Sequence, residues 1–367
     1  MGLVANVMLL TDRINVFVMR YARTYGEYRN IKRKKKLVDS VILTKEQMCE
    51  IDEYFKTYYG KKINYFWHKL YQSYTGVFRK DYFPEILLSS KLEIELNPFS
   101  TANLLGDKNL LHQLFGSVET VHIPKTYVSC VNGLIRDENN NLISNECVGN
   151  LLNNKVCVIK KTIETSSGRD VMICEFEEGV DKKSKKTLNE IIEQMGKNFV
   201  VQEKIKQFDE LFALYPDSIN TFRVMTYIVD SNIYHCPIAL RLARNGADRD
   251  NIHYGGICVG VDDTGYLYEK AYEEYGESYE IHPDTNIRFK GYRISKINDI
   301  IDCAKKLHAC IPNLGIVSWD LTLDEVGNVT LIEANTFNQS AWFPQMIQGK
   351  SLFGEHTPYM LKLISGR

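Results

Sequence analysis

One stretch constrains this chain more than any other: "VSWDLTLDEVGNVTLIEAN", from Val317 to Asn335. Two runs alternate apolar with polar residues around Glu325-Val326-Gly327-Asn328, the pattern of an antiparallel hairpin with one face against a core. A four-residue loop pairs Asp324 with Val329 and sets Asp320 directly opposite Glu333. Side chains alternate along a strand, so Glu333 and Asn335 share a face and Asp320 joins them there. A register one residue different faces Asp320 with Ile332 and disperses the group. Carboxylates in mid-strand are costly unless a cation meets them. Two carboxylates and an amide oxygen are hard donors of the kind Mg2+ takes, with water and phosphate oxygens completing its shell. The alternative for the same spacing is an exposed hairpin with its acids in water.

Groups suited to phosphate lie upstream. Lys108 follows Asp107 at a helix start, and Lys160 sits near the end of the strand "KVCVIKK", before the small-residue turn "TSSGRD". A lysine is a mobile point charge for phosphate, and such a turn can bring backbone N–H groups close to it. "VVQEKI" is an apolar strand ending at Glu203, and Asn220, Arg223, Arg241 and Arg244 follow in "INTFRV" and "LRLAR". Alternation puts Asn220 on the face opposite Arg223, unless the strand begins after Asn220. Taken singly, lysines and arginines at strand ends are solvated in most proteins.

The first 95 residues read as helical. "TKEQMCEIDEYFKTYYGKKINYFWHKLYQSYTG" spaces its apolar residues three and four apart, with Thr44 as N-cap and Gln47 completing a capping box. From about residue 155 strands dominate, with helices between them, a meander turning at 230–232 and 263–265, and a helix near 296–310 ahead of the hairpin. The expected class is therefore α+β, with a helical N-terminal region over 1–95 and the remainder, 96–367, dividing at a hinge over 200–205. No apolar run approaches the roughly 20 residues that span a bilayer. The net charge of −1 gives no bias toward nucleic acid or membrane. The basic run Lys32-Arg33-Lys34-Lys35-Lys36 reads first as a solvated helix end, and second as a contact with anionic lipid or nucleic acid. Nine cysteines without a CxxC pair read as reduced thiols of a cytoplasmic protein, with Cys236 and Cys258 in the core.

In this order the pieces resemble the ATP-grasp superfamily, and more closely its sugar-transfer-associated branch. The resembling segments are "YFPEIL" (82–87), "LGDKNLL" (105–111), "VIKKTIETSSGRDV" (158–171), "VVQEKI" (200–205), "INTFRVMTY" (219–227), "ALRLARNGADRDNIHYGGICVGVDDTG" (239–265), "IHPDT" (281–285) and the hairpin itself. The resemblance implies an ATP-grasp fold, two α+β subdomains clasping ATP over 96–205 and 206–367. It implies that Lys108, Lys160 and the loop around Gly168 contact the nucleotide phosphates, that Gln202, Glu203 and Ile205 line the adenine hinge, and that Asn220 stands nearby. Asp320, Glu333 and Asn335 would hold one or two Mg2+ ions, or Mn2+ in their place. Arg241 and Arg223 would steady the transferred phosphoryl group, with Asn251, Gly255 and Gly256 toward the second substrate and His253 as a base or a hydrogen-bonding group.

The chemistry the resemblance implies is ligation. A carboxylate takes the γ-phosphoryl group of ATP, ADP leaves, and an amine or other nucleophile displaces phosphate from the acyl phosphate. The branch points to polysaccharide biosynthesis, with a glycan-related or amino-acid substrate. Two alternatives stay open: a kinase acting on a sugar-like hydroxyl, and a Mg-ATP-binding scaffold without turnover. Small-molecule acid and amine are the expected partners, with no nucleic acid; oligomeric state is not legible.

Overall fold

The computed structural model describes residues 2–162, 171–340 and 342–366, and for residues 2–13 the backbone alone. Helices fill the N-terminal region. The first runs over Gly2–Arg33, and the helix Lys45–Tyr59 opens on the Thr44–Gln47 capping box and stops at Gly60, whose φ of 85° only glycine adopts freely. Phe55, Tyr59, Phe83 and Leu88 from this region pack with Tyr227, Ile316 and Phe353, so the helices are part of one body with the strands. Arg23 fastens the first helix to it by bonding Glu93 at 2.5 Å and Asn338 at 2.8 Å.

The basic run is only partly the solvated helix end that its composition suggests. Lys32, Arg33, Lys35 and Lys36 are exposed, but Lys34 falls at the break between two helices and is buried. Its ammonium bonds Glu274 at 3.0 Å and lies 3.8 Å from the centre of the Trp342 ring.

Among the described residues fourteen strands form two antiparallel sheets. β1 (Thr126–Val131), β2 (Leu134–Asp137), β3 (Val156–Lys161), β4 (Val171–Glu177), β5 (Val180–Asp181) and β6 (Phe199–Glu203) make the first, in the order β2-β1-β6-β3-β4-β5. β7 (Thr221–Val229), β8 (Asn232–His235), β9 (Ile238–Leu242), β10 (Ile257–Val261), β11 (Leu267–Tyr272), β12 (Ser278–Tyr279), β13 (Ile316–Leu323) and β14 (Val329–Asn335) make the second. Its order is β12-β11-β10-β9-β7-β13-β14, with β8 also on β7.

β13 is buried along its whole length. Val317, Trp319, Leu321 and Leu323 pack in the main core with the helix Ile297–Cys310. On the opposite face Ser318, Asp320 and Thr322 are covered as well, and each has a polar partner. Alternation identifies the two faces; coverage of the polar one is a tertiary fact. No helix among the described residues is long and apolar enough to cross a membrane.

Candidate functional site

The hairpin loop is three residues long, one shorter than expected. The Asp324 N–H bonds the Asn328 carbonyl at 3.0 Å, and Gly327 takes the left-handed position that such a loop requires, at φ 87°. Near the turn the register is therefore Leu323↔Val329, Thr322↔Thr330 and Leu321↔Leu331, which would carry Asp320 opposite Ile332. A β-bulge at Ile332 absorbs one residue and restores Asp320↔Glu333 and Ser318↔Asn335. Turn and bulge are one residue off in opposite senses, and they cancel at the acids.

Asp320 has two cationic partners. Arg223, its direct neighbour on β7, gives it Nε at 2.6 Å and Nη2 at 3.1 Å, and Arg241 on β9 gives Nη2 at 2.9 Å. Burial alone would raise this carboxyl, but the two guanidiniums overcome that and hold it below the usual carboxylate range. Arg241 also donates to the Thr221 hydroxyl at 2.9 and 2.6 Å, and Thr221 in turn bonds Asp250 through its N–H at 3.1 Å and through its hydroxyl. Burial raises the Asp250 carboxyl, with Arg241 and Thr221 offsetting it only in part.

Across the strand pair, Glu333 bonds Lys108 at 2.7 Å. Lys160 is buried, its ammonium 3.5 Å from the Ile332 carbonyl that the bulge turns toward it. Burial, reinforced by Lys108, lowers it from its ordinary 10.5 to about 8. All these groups line one cavity of about 590 Å3 between the two sheets. Gln202, Glu203 and Ile205 line it from the hinge, and Asn251 from the loop after β9. The hinge side chains are already tethered: Gln202 donates to Pro124 and Thr126, and Glu203 accepts the Lys125 N–H at 2.7 Å.

Four expected residues stand elsewhere. The Asn220 side chain is fully buried away from the cavity, donating to the Leu211 and Tyr215 carbonyls at 2.8 Å each; β7 does begin after it, at Thr221, but these bonds hold it on the side opposite Arg223. His253 turns away from this cavity and bonds Glu274 at 2.8 Å. Gly255 and Gly256 do not line it either. They shape the loop from behind, since a Cβ on Gly256 would lie 2.7 Å from the Asp250 carbonyl oxygen. Asn251 does line it, but its side-chain oxygen is engaged by the His253 N–H. Gly168 lies outside the described residues.

Sequence reasoning passed over Thr221 and Asp250. Thr221 was within reach, two positions from Arg223 and so on the same face. Asp250 sits in the polar run "ADRDN", where nothing local separates it from Asp248.

The donor set suits Mg2+. Asp320, Glu333 and Asn335 offer oxygens alone, and the Asn335 Nδ2 is buried without a partner, so this amide has not been spent on an internal bond. Among the described residues no three His, Cys, Asp or Glu side chains cluster as a metal cage. An ion here would therefore need oxygens from water and a ligand, as Mg2+ on phosphates does.

Among curated protein sequences none is significantly similar. Solved structures with a similar fold include biotin carboxylase from Campylobacter jejuni, at 15% identity over 74% of this chain and 49% of that one, with a TM-score of 0.45. A D-Ala:D-Ser ligase from Enterococcus faecalis aligns at 16% identity over 72% and 62%, with a TM-score of 0.42. An L-amino acid ligase from Bacillus licheniformis aligns at 12% over 72% and 50%, with a TM-score of 0.40. The chain thus spans less than two thirds of the length of each of these structures. The model of the family described as sugar-transfer associated ATP-grasp matches residues 87–358, from the helices that precede the first sheet to beyond the hairpin, and the chain belongs to that family.

Proposed function

We propose that the cavity binds ATP with Mg2+ and that the protein is an ATP-dependent ligase, activating a carboxylate as an acyl phosphate and joining it to an amine. The observation that supports this most is the convergence, in one cavity, of Arg223, Arg241, Lys108 and Lys160 with the oxygen donors Asp320, Glu333 and Asn335. The whole lining balances eight basic with eight acidic side chains, so a polyanion would enter together with a metal cation and take over basic groups that now meet carboxylates.

Each side chain then has a task. Lys108 exchanges Glu333 for phosphate oxygens, which leaves the Glu333 carboxylate to the metal. Lys160 meets the phosphates from the first sheet, and residues 204–205, just past the end of β6, offer backbone groups to the adenine edge. Asp320 fixes both guanidiniums, so that Arg223 and Arg241 reach the transferred phosphoryl group pre-oriented and with little reorganisation. Glu333 and Asn335 would hold Mg2+, with Asp320 joining them only in exchange for a guanidinium, and the ion would supply positive charge to the phosphates.

Calorimetric titration with a non-hydrolysable ATP analogue, with and without Mg2+, tests the reading. We expect Mg-dependent binding that weakens at least about tenfold in Glu333→Gln, the size of loss seen even for outer-sphere partners of a metal. Binding unaffected by metal or by the substitution would overturn it. ADP release that requires both an acid and an amine supports ligation; release with a hydroxyl compound alone would make the protein a kinase.

A further inference from the structure

A second cavity, of about 570 Å3, lies where the first helix meets residues 253–254, 274–275, 338–340 and Trp342. It is nearly as large as the nucleotide cavity, and the two are lined by different residues of the same two chain segments. Asn251 lines the first and His253 the second, while Asn335 lines the first and Asn338 the second.

The lining is specific in its chemistry. Its inner basic groups are engaged: Arg23 by Glu93 and Asn338, and Lys34 by Glu274. Glu27, from the first helix, forms no ion pair among the described residues, and burial pushes its carboxyl up to about 7 against the pull of Asn30 and Arg23. The hydroxyls of Ser89 and Ser340 are buried without partners, and Ser89 is only 8% exposed. Buried polar atoms of this kind are ordinarily satisfied. Trp67 and Trp342 supply indole surface.

The wall also displays an ammonium bound in place. Lys34 Nζ lies 3.8 Å from the Trp342 ring centre, 4.7 Å from that of Tyr275 and 3.0 Å from the Glu274 carboxylate. Glu27 and Trp67 line the same cavity and add a second carboxylate and a second indole to it.

We propose that this second cavity binds the amine substrate, a small molecule presenting a primary ammonium group to Glu27 against the aromatic wall, with the Ser89 and Ser340 hydroxyls taking its remaining polar groups. The N-terminal helices thereby complete the site rather than decorate it. The inference rests on the ligase reading for the word substrate, but the binding itself does not depend on nucleotide.

The probes are benzylamine, protonated at neutral pH, and benzyl alcohol, its neutral counterpart of the same shape. Calorimetry on the full chain without nucleotide should show benzylamine binding about tenfold tighter than the alcohol. Glu27→Gln should erase that preference while leaving ATP-analogue affinity unchanged, which also certifies that the variant is folded. Should Glu27→Gln not fold, Glu27→Asp, which draws the carboxylate back by one methylene, should weaken benzylamine several-fold with the analogue again unaffected. Equal affinity for amine and alcohol, no binding of benzylamine up to its solubility, or displacement of benzylamine by the ATP analogue would each overturn the proposal. Failure of the wild type to bind the analogue would remove the ligase reading and leave the amine result standing.

Discussion

Asp320 and Glu333 face each other across one strand pair, yet they live in different regions of the cavity. At the floor, Asp320 has a side chain 5% exposed and is bonded by two guanidiniums that are themselves anchored by strands on one side of it. At the rim, the Glu333 side chain is 30% exposed and bonds one lysine, Lys108, whose own side chain is 8% exposed. Two acids that the sequence presents as equivalent metal ligands therefore differ in how freely they can change partners. The floor stores order: its charges were desolvated and paired during folding, and breaking the set leaves buried charge behind. The rim stores exchangeability on its acidic side, since the partly solvated Glu333 is held by one ion pair, which phosphate on Lys108 and a metal on Glu333 can replace.

Substitutions should separate floor from rim. The largest effect is expected for Asp320→Asn, which strands Arg223 and Arg241 and should cost about 3–5 kcal/mol of unfolding free energy in denaturant titration. A loss below about 1 kcal/mol would erase the distinction between the regions. Lys160 comes next, through pH. Its folded-state value of about 8 lies below the ordinary 10.5, so the unfolded chain holds the extra proton between those values. Stability of the nucleotide-free protein should therefore rise with pH across that window, by up to about 3 kcal/mol relative to Lys160→Met. Analogue affinity should fall over the same window as the ammonium discharges, and a parallel rise of both would contradict the phosphate role. Gly327→Ala forces an alanine into the left-handed region and should cost about 1 kcal/mol. Because the Ile332 bulge lies between the turn and the acids, Mg-dependent analogue binding should survive. The smallest stability change, within about 1 kcal/mol, is expected for Glu333→Gln, even though its effect on metal-dependent binding is large. Equal destabilisation by Glu333→Gln and Asp320→Asn would show that both acids are structural.

Much of this molecule was legible before its tertiary structure. The helical N-terminal region, the Thr44–Gln47 capping box, the helix ahead of the hairpin and the antiparallel pairing of 317–335 all rest on spacings of two to four residues, which nearest-neighbour physics reads directly. The facing of Asp320 and Glu333 was reached through a loop one residue too long, and the real chain reaches it through a shorter loop and a bulge. Neither Gly327 nor Ile332 advertises which of those two solutions is used.

What only the tertiary structure decided concerns residues far apart in the chain. Alternation assigns Arg223, Arg241 and Asp320 each to a face of its own strand, but strand order in the sheet brings the three faces together, with β7 between β9 and β13. The same order sends Asn220 into the core, places Thr221 and Asp250 behind Arg241, and leaves His253 with Glu274 on the second cavity. Lys34 shows the limit most plainly. Its sequence neighbours make it one of five surface charges, yet Glu274 and Trp342, more than two hundred residues away, make it a buried one. Local periodicity is set by covalent neighbours, whereas the partners of a buried charge are set by which strands and helices pack together, and no local pattern encodes that choice.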